Sequence, residues 1–79
     1  MLTKEQQIFK NIKSRGVIKS HGKWVIEYKR LYCAIVDAGY TDYDTVRKII
    51  DNMVAKGYIR KSHTGNRISS NYIIEKWVN

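Results

Sequence analysis

The chain contains no proline, one cysteine and no long run of apolar residues. A single thiol, Cys33, excludes an intramolecular disulfide and is typical of a protein from a reducing compartment. Without about 20 consecutive apolar residues, no transmembrane helix is predicted. The N-terminus turns polar directly after Leu2 and therefore lacks the apolar segment of a signal peptide. We therefore predict a cytoplasmic protein, located in the host cytoplasm if it is viral.

Catalytic and metal-binding patterns are also missing from the sequence. The residues best suited to bind zinc do not have the paired spacings of a structural zinc site: they are His21, Cys33 and His63. Neither a glycine-rich phosphate loop nor a Ser/His/Asp arrangement with motif spacing is present. We predict no enzyme activity, no cofactor, no metal and no small-molecule ligand.

Acidic residues are few and unevenly placed. The formal net charge is +8, and the pI is about 9.8. Residues 6–26 and 52–74 contain lysine and arginine but neither aspartate nor glutamate. A solubilising surface in a protein from an AT-rich genome would also be basic, but it would not require this segregation. The charge pattern therefore indicates an anionic partner, of which nucleic acid is the commonest.

The most regular stretch is a predicted helix at residues 42–56. Thr41 or Asp42 can cap its N-terminus, and Gly57 can adopt the left-handed conformation that ends a helix. Apolar residues at helical spacing predict its buried side: Val46, Ile49, Ile50, Met53 and Val54. The opposite side carries Asp44, Arg47, Lys48 and Asp51.

Two further helices are predicted before it. The first lies near residues 3–14, where Thr3 and Gln6 have the spacing of a capping box. The second, at about 27–38, is followed by Gly39 and a short turn. Two helices joined by a tight turn that contains glycine describe a helix-turn-helix.

After Gly57 the apolar period changes from about 3.6 to 2, which predicts strands. We expect a hairpin near residues 58–75 with its turn at 63–66. A short strand at 24–26 would pair onto this hairpin, and residues 19–23 would form a basic loop. Trp77 breaks the strand alternation, so it follows a bulge or lies in a tail that packs on helix 1.

Three stretches resemble the winged helix-turn-helix family: TVR at 45–47, MVAKGYIRK at 53–61 and NYII at 71–74. They are similar to the pattern T-V-R, then L-x-x-K-G-L/Y-I, and after the wing N-x-Y-x-I/L. This pattern occurs in bacterial, plasmid, phage and archaeal regulators, and the resemblance covers residues 27–75 well and 1–26 loosely. It implies one α+β domain over residues 1–79 with three helices, a short strand between helices 1 and 2, and a C-terminal β-hairpin wing. The missing proline departs from the Z-DNA-reading members and argues against Z-DNA recognition.

The resemblance implies that helix 42–56 is a recognition helix and that double-stranded DNA is the partner. In this helix the candidate DNA-binding residues are Tyr43, Asp44, Arg47 and Lys48. In the wing they are Arg60, Lys61, His63, Asn66 and Arg67. Candidate phosphate clamps are Lys23, Lys29 and Arg30. Arg47 can bind guanine O6 and N7 in a bidentate fork; its alternative is a surface ion pair with Asp44 or Asp51.

The leading functional prediction is a small, sequence-specific transcription regulator from a phage, virus or plasmid. A replication or excision accessory factor would use the same surface. Asp42 and Asp44 would repel phosphates, although they also suit the positive end of the helix dipole, and Asp44 could accept a hydrogen bond from cytosine. A protein-docking winged module therefore remains an alternative, and RNA binding through the basic wing is a third class. A homodimer, if formed, would use helix 1, the C-terminal tail or both.

Overall fold

The computed structural model describes residues 2–62 and 71–78 of the chain. In that part, three helices pack beside one antiparallel sheet of four strands, so the α+β class is confirmed. The elements in chain order are α1 (Lys4–Arg15), β1 (Ile18–Ser20), β2 (Lys23–Glu27), α2 (Tyr28–Asp37), α3 (Tyr43–Ala55), β3 (Ile59–Lys61) and β4 (Asn71–Ile74).

Helices α1 and α3 begin at side-chain caps. The Thr3 hydroxyl accepts from the Gln6 N–H at 3.2 Å, and the Gln6 side chain accepts from the Thr3 N–H at 2.8 Å, which confirms the predicted capping box. Of the two candidates before α3, Asp42 is the cap: its carboxylate accepts from the Thr45 N–H at 3.1 Å. Gly57 follows α3 with a φ of 78°, the left-handed conformation expected there.

The region between α1 and α2 contains two strands, so the prediction of one short strand and a basic loop at 19–23 is wrong. β1 and β2 form a hairpin in which Ser20 pairs with Lys23. His21 and Gly22, between them, have φ values of 51° and 80°. Positive φ at both central positions is the signature of a type I′ turn, whose twist matches that of the flanking strands.

The sheet has the strand order β1-β2-β4-β3, so β4 is an inner strand. The predicted strand at 24–26 does pair with the C-terminal region, since Trp24 lies opposite Ile74 in β4. β3 pairs antiparallel with β4, but this order is not that of a simple hairpin with one added strand. The predicted hairpin turn at 63–66 lies outside the described residues.

One apolar core lies between the sheet and the helices. It is filled mainly by isoleucine and other aliphatic side chains, and its members are Ile8, Phe9, Ile12, Ile26, Leu31, Ala34, Ile35, Val46, Ile49, Ile50, Met53, Ile59, Tyr72 and Ile74. Val54 was predicted to be buried and is not: its side chain is 40% exposed. At about 100° per residue it lies on the flank of α3, roughly 90° from the centre of the buried side.

The C-terminal tail packs on α1, which decides between the two predictions for Trp77. The indole of Trp77 lies edge-on to Phe9 of α1, with the ring centroids 5.8 Å apart. It also lies edge-on to Trp24 of β2 at 6.4 Å.

Among the helices that the structure describes, none is long and apolar enough to cross a membrane.

Candidate nucleic-acid interface

Helix α3 buries one side and exposes the other. Five residues, 38–42, connect it to α2, and its buried side anchors it through Val46, Ile49, Ile50 and Met53. All residues predicted to contact DNA from this helix are exposed: Tyr43, Asp44, Arg47 and Lys48. The predicted polar side therefore faces solvent.

Arg47 is held against a group of tyrosines. A side-chain hydrogen bond with Tyr28 of α2, followed by the charges of Tyr43 and Tyr28, raises the pKa of Arg47. The Tyr32 ring bridges this group, with its centroid 6.1 Å from that of Tyr28 and 6.3 Å from that of Tyr43. The guanidinium therefore stays charged, and the largest cause of its raised pKa, Tyr28, lies outside its own helix.

The alternative for Arg47, a surface ion pair with Asp44 or Asp51, is not formed. In the described part of the chain, Arg47 takes part in none of the ion pairs within 4.0 Å. The charge of Asp51 is the smallest of the causes that act on the pKa of Arg47.

Lys48 lies on the other flank of α3 from Arg47. It lines a shallow cleft of about 310 Å³ between α3 and the start of α1, together with Lys4, Tyr40, Thr45, Ile49 and Asn52. Lys4 is not among the residues predicted from the sequence to bind DNA, and its ammonium lies 6.0 Å from the centre of the Tyr40 ring. A lysine at the first residue of a helix is disfavoured by the positive end of the helix dipole. This unfavourable position is the feature of the sequence from which a role for Lys4 could have been predicted.

The three predicted phosphate clamps differ in their surroundings. Lys23 and Lys29 are exposed. Arg30 is engaged: its guanidinium lies 3.5 Å from the Glu27 carboxylate and donates to the Arg15 carbonyl at 3.2 Å. Arg30 therefore ties the start of α2 to the end of α1, and its charge is partly neutralised.

The predicted wing residues are only partly described. Arg60 forms an ion pair with Glu75, and Lys61 is exposed. His63, Asn66 and Arg67 lie outside the described residues. The side chains of Arg60 and Lys61 point to opposite faces of the sheet, because they are neighbours in a strand. Lys61 lies opposite the core residue Tyr72, and Arg60 lies opposite Ile73.

The acids near the start of α3 have separate roles. Asp42 caps the helix and also accepts from the Thr45 hydroxyl at 3.1 Å, so it stabilises the helix start. Asp44 is exposed in the first turn, where a negative charge interacts favourably with the helix dipole. Within residues 2–62 and 71–78, no group of three or more His, Cys, Asp or Glu side chains could hold a metal ion.

Comparison of the chain with known protein families, with curated proteins and with solved structures found no match.

Proposed function

We propose that this chain is a winged helix-turn-helix protein that binds double-stranded DNA sequence-specifically and regulates transcription. Helix α3 enters the major groove, and the segment at 58–75 contacts the backbone or the neighbouring minor groove. The observation that carries this proposal is the exposed polar side of α3, on which Arg47 takes part in no ion pair within the described part of the chain.

The dimensions of α3 suit this role. Its 13 residues give a length of about 20 Å, and the major groove, about 12 Å wide, accepts one helix. Arg47 lies in the second turn, where recognition helices contact base edges.

Positive charges other than that of Arg47 support DNA binding. A net charge of +8 provides the attraction to phosphates that dominates DNA affinity. Lys23, Lys29, Lys48 and Lys61 are exposed, and none of them is in an ion pair among the described residues. These lysines contact phosphates and carry no sequence information.

A second candidate function is a protein-docking module, and Asp44 and Asp51 favour it. Both are exposed on α3, and at about 100° per residue both lie close to the line opposite the buried side. Carboxylates in that position fit a basic protein partner better than a polyanion. A replication or excision accessory factor would differ from the leading proposal in role but not in surface.

Replacing Arg47 tests the proposal. After binding sites are selected from a random DNA library, Arg47→Ala should weaken cognate binding by about 1–3 kcal/mol and relax preference at one base pair. Lys10→Ala removes one positive charge from the exposed side of α1 and is the matched control; it should leave the base preference unchanged. Fluorescence anisotropy at one fixed salt concentration measures both variants.

Two outcomes contradict the proposal. If the parent selects no DNA sequence, base reading by α3 is excluded. If Arg47→Ala binds every sequence as tightly as the parent, α3 is not the reading element, and the docking function through Asp44 and Asp51 becomes the better account.

A further inference from the structure

The cleft between the start of α1 and the exposed side of α3 is basic. We call it the α1–α3 cleft; it has a volume of about 310 Å³, and two of the described residues that line it, Lys4 and Lys48, are lysines while none is acidic. Asn52 adds a side-chain amide to the same lining. At about 100° per residue, Lys48 and Asn52 lie on the flank of α3 that faces α1.

The charge of Lys4 is little used within the protein. Lys4 is exposed and takes part in none of the ion pairs among the described residues. Its ammonium lies 6.0 Å from the centre of the Tyr40 ring, at the outer limit of a cation–π contact. The neighbouring Glu5 is paired with Lys56 at 3.1 Å. A backbone hydrogen bond is the largest of the causes that act on the pKa of Glu5, and the charge of Lys4 is the smallest.

Helix stability does not explain the presence of Lys4. It is the first residue of α1, where the positive end of the helix dipole disfavours a cation. The capping box of Thr3 and Gln6 completes this helix end without it. An anion in the α1–α3 cleft would offset the unfavourable position, because it attracts the Lys4 ammonium.

We propose that the α1–α3 cleft binds one backbone phosphate of double-stranded DNA, between the ammonium groups of Lys4 and Lys48 and with the Asn52 amide as a further donor. Lys4 is then a positioning residue, and it determines which DNA strand runs along the α1 side of α3. This inference rests on the proposed function, because the phosphate belongs to the duplex whose major groove α3 enters.

A helix inserted into the major groove has a phosphate backbone on each side. With its side chains a helix is about 10–12 Å across, and the groove is about 12 Å wide. Each flank of α3 would therefore lie beside one strand. The flank with Lys48 and Asn52 faces the start of α1, so the strand on that side comes to the cleft and to Lys4.

The shallow cleft suits a phosphate of a duplex better than a free ion. Lysines attract a phosphate as point charges, and exposed charge pairs contribute little on their own. In a duplex, the other contacts of α3 hold the phosphate near the cleft at a high effective concentration. The same two lysines then add to DNA affinity, although they bind inorganic phosphate weakly.

Replacing single phosphates of the selected DNA site by uncharged methylphosphonates locates the contact. A scan of both strands gives the positions at which the parent loses affinity, measured by fluorescence anisotropy at one salt concentration. Lys4→Gln and Lys48→Gln should both abolish the loss at the same phosphate, since each variant already lacks that contact. Lys10→Gln removes an equal charge from another side of α1 and should keep the pattern of the parent.

Unmodified DNA gives a second readout. Lys4→Gln should weaken binding to the selected site and to random duplex by about fivefold each, and should reduce the steepness of the salt dependence by about one unit. Its base preference should stay that of the parent. Its melting temperature should not fall, because the substitution removes an unfavourable charge from the start of α1. A merely structural role of Lys4 would lower the melting temperature and leave the salt dependence unchanged.

Each failure has its own result. If the parent selects a DNA site but Lys4→Gln keeps the loss at every methylphosphonate position, the α1–α3 cleft holds no phosphate and the proposed function of α3 stands. If Lys4→Gln and Lys48→Gln act on phosphates of different strands, a shared site is excluded. If inorganic phosphate saturates the cleft without DNA, the occupant is a free anion. If the parent selects no DNA sequence, the proposed function fails and this inference fails with it.

Discussion

Tyr72 is the residue whose ionisation should limit stability at high pH. Its side chain is buried in the core, and this burial raises the pKa of its hydroxyl above the usual 10.0, although the charge of Arg47 acts in the opposite direction. The pKa of Tyr72 is therefore higher in the folded than in the unfolded protein. Its contribution to the free energy of unfolding is fully present below pH 10 and is lost as the pH rises through the folded-state pKa.

Urea unfolding at neutral pH and above pH 10 measures this loss. Tyr72→Phe should make the free energy of unfolding less sensitive to pH in the alkaline range. Tyr43→Phe is the control, since Tyr43 is 58% exposed, and it should keep the alkaline loss of the parent. Equal alkaline loss in the parent and in Tyr72→Phe would show that another group titrates.

Asp42 should stabilise the start of α3. Its carboxylate accepts from the N–H and the hydroxyl of Thr45, so Asp42→Ala leaves a backbone donor without its cap and should lower the free energy of unfolding by about 1 kcal/mol. Asp51→Ala removes the same charge from the exposed middle of the helix and should change it by less than about 0.5 kcal/mol. A similar loss in both variants would attribute the effect to charge rather than to capping.

Among the elements, the three helices could be predicted from the sequence and the first hairpin could not. Apolar spacing, Thr3, Asp42 and Gly57 identify helix bodies and ends locally, within a few residues of each boundary. β1 has three residues, too few to show a period of two, and its turn contains His21-Gly22 instead of the more familiar Asn-Gly. Its pairing with β2 depends on tertiary structure.

The candidate site shows the same division between local and long-range information. Exposure of Arg47 and Lys48 follows from the helical period within α3. Three interactions of the candidate site join residues that are distant in sequence. They are those of Arg47 with Tyr28, of Arg60 with Glu75, and of Lys4 with the cleft beside Lys48. Periodicity contains no information on such contacts.

The β1–β2 hairpin should be sensitive at Gly22. Its φ of 80° is unfavourable for a residue with a Cβ, so Gly22→Ala should lower the free energy of unfolding by about 1–2 kcal/mol. His21, with a φ of 51°, gives the matched test in the other direction, since asparagine tolerates positive φ well. His21→Asn should therefore raise the melting temperature, and stability unaffected by both changes would mean that the turn is not a type I′ turn in solution.

At the scale of the whole molecule, the ion pairs reduce the charge that can meet DNA. Arg15, Arg30, Lys56 and Arg60 are each within 4.0 Å of a carboxylate. Among the predicted contact residues, the exposed cations without such a pair in the described part of the chain are Lys23, Lys29, Arg47, Lys48 and Lys61. The net charge of +8 therefore overstates the number of phosphates that the protein can neutralise.

This count predicts the salt dependence of DNA affinity. If about five phosphates are neutralised, log K should fall with log salt concentration at a slope of about −4.5, since each contact releases condensed counterions. Lys48→Ala should reduce the steepness by about one unit, whereas Lys10→Ala, with the same loss of charge outside the proposed surface, should leave the slope unchanged. Anisotropy titrations between dilute and physiological salt give the slope for all three proteins. If the affinity of the parent is insensitive to salt, its basic residues act only as a solvated surface. If Lys48→Ala and Lys10→Ala have equal slopes, the overall charge of the protein, rather than the α3 surface, attracts the DNA.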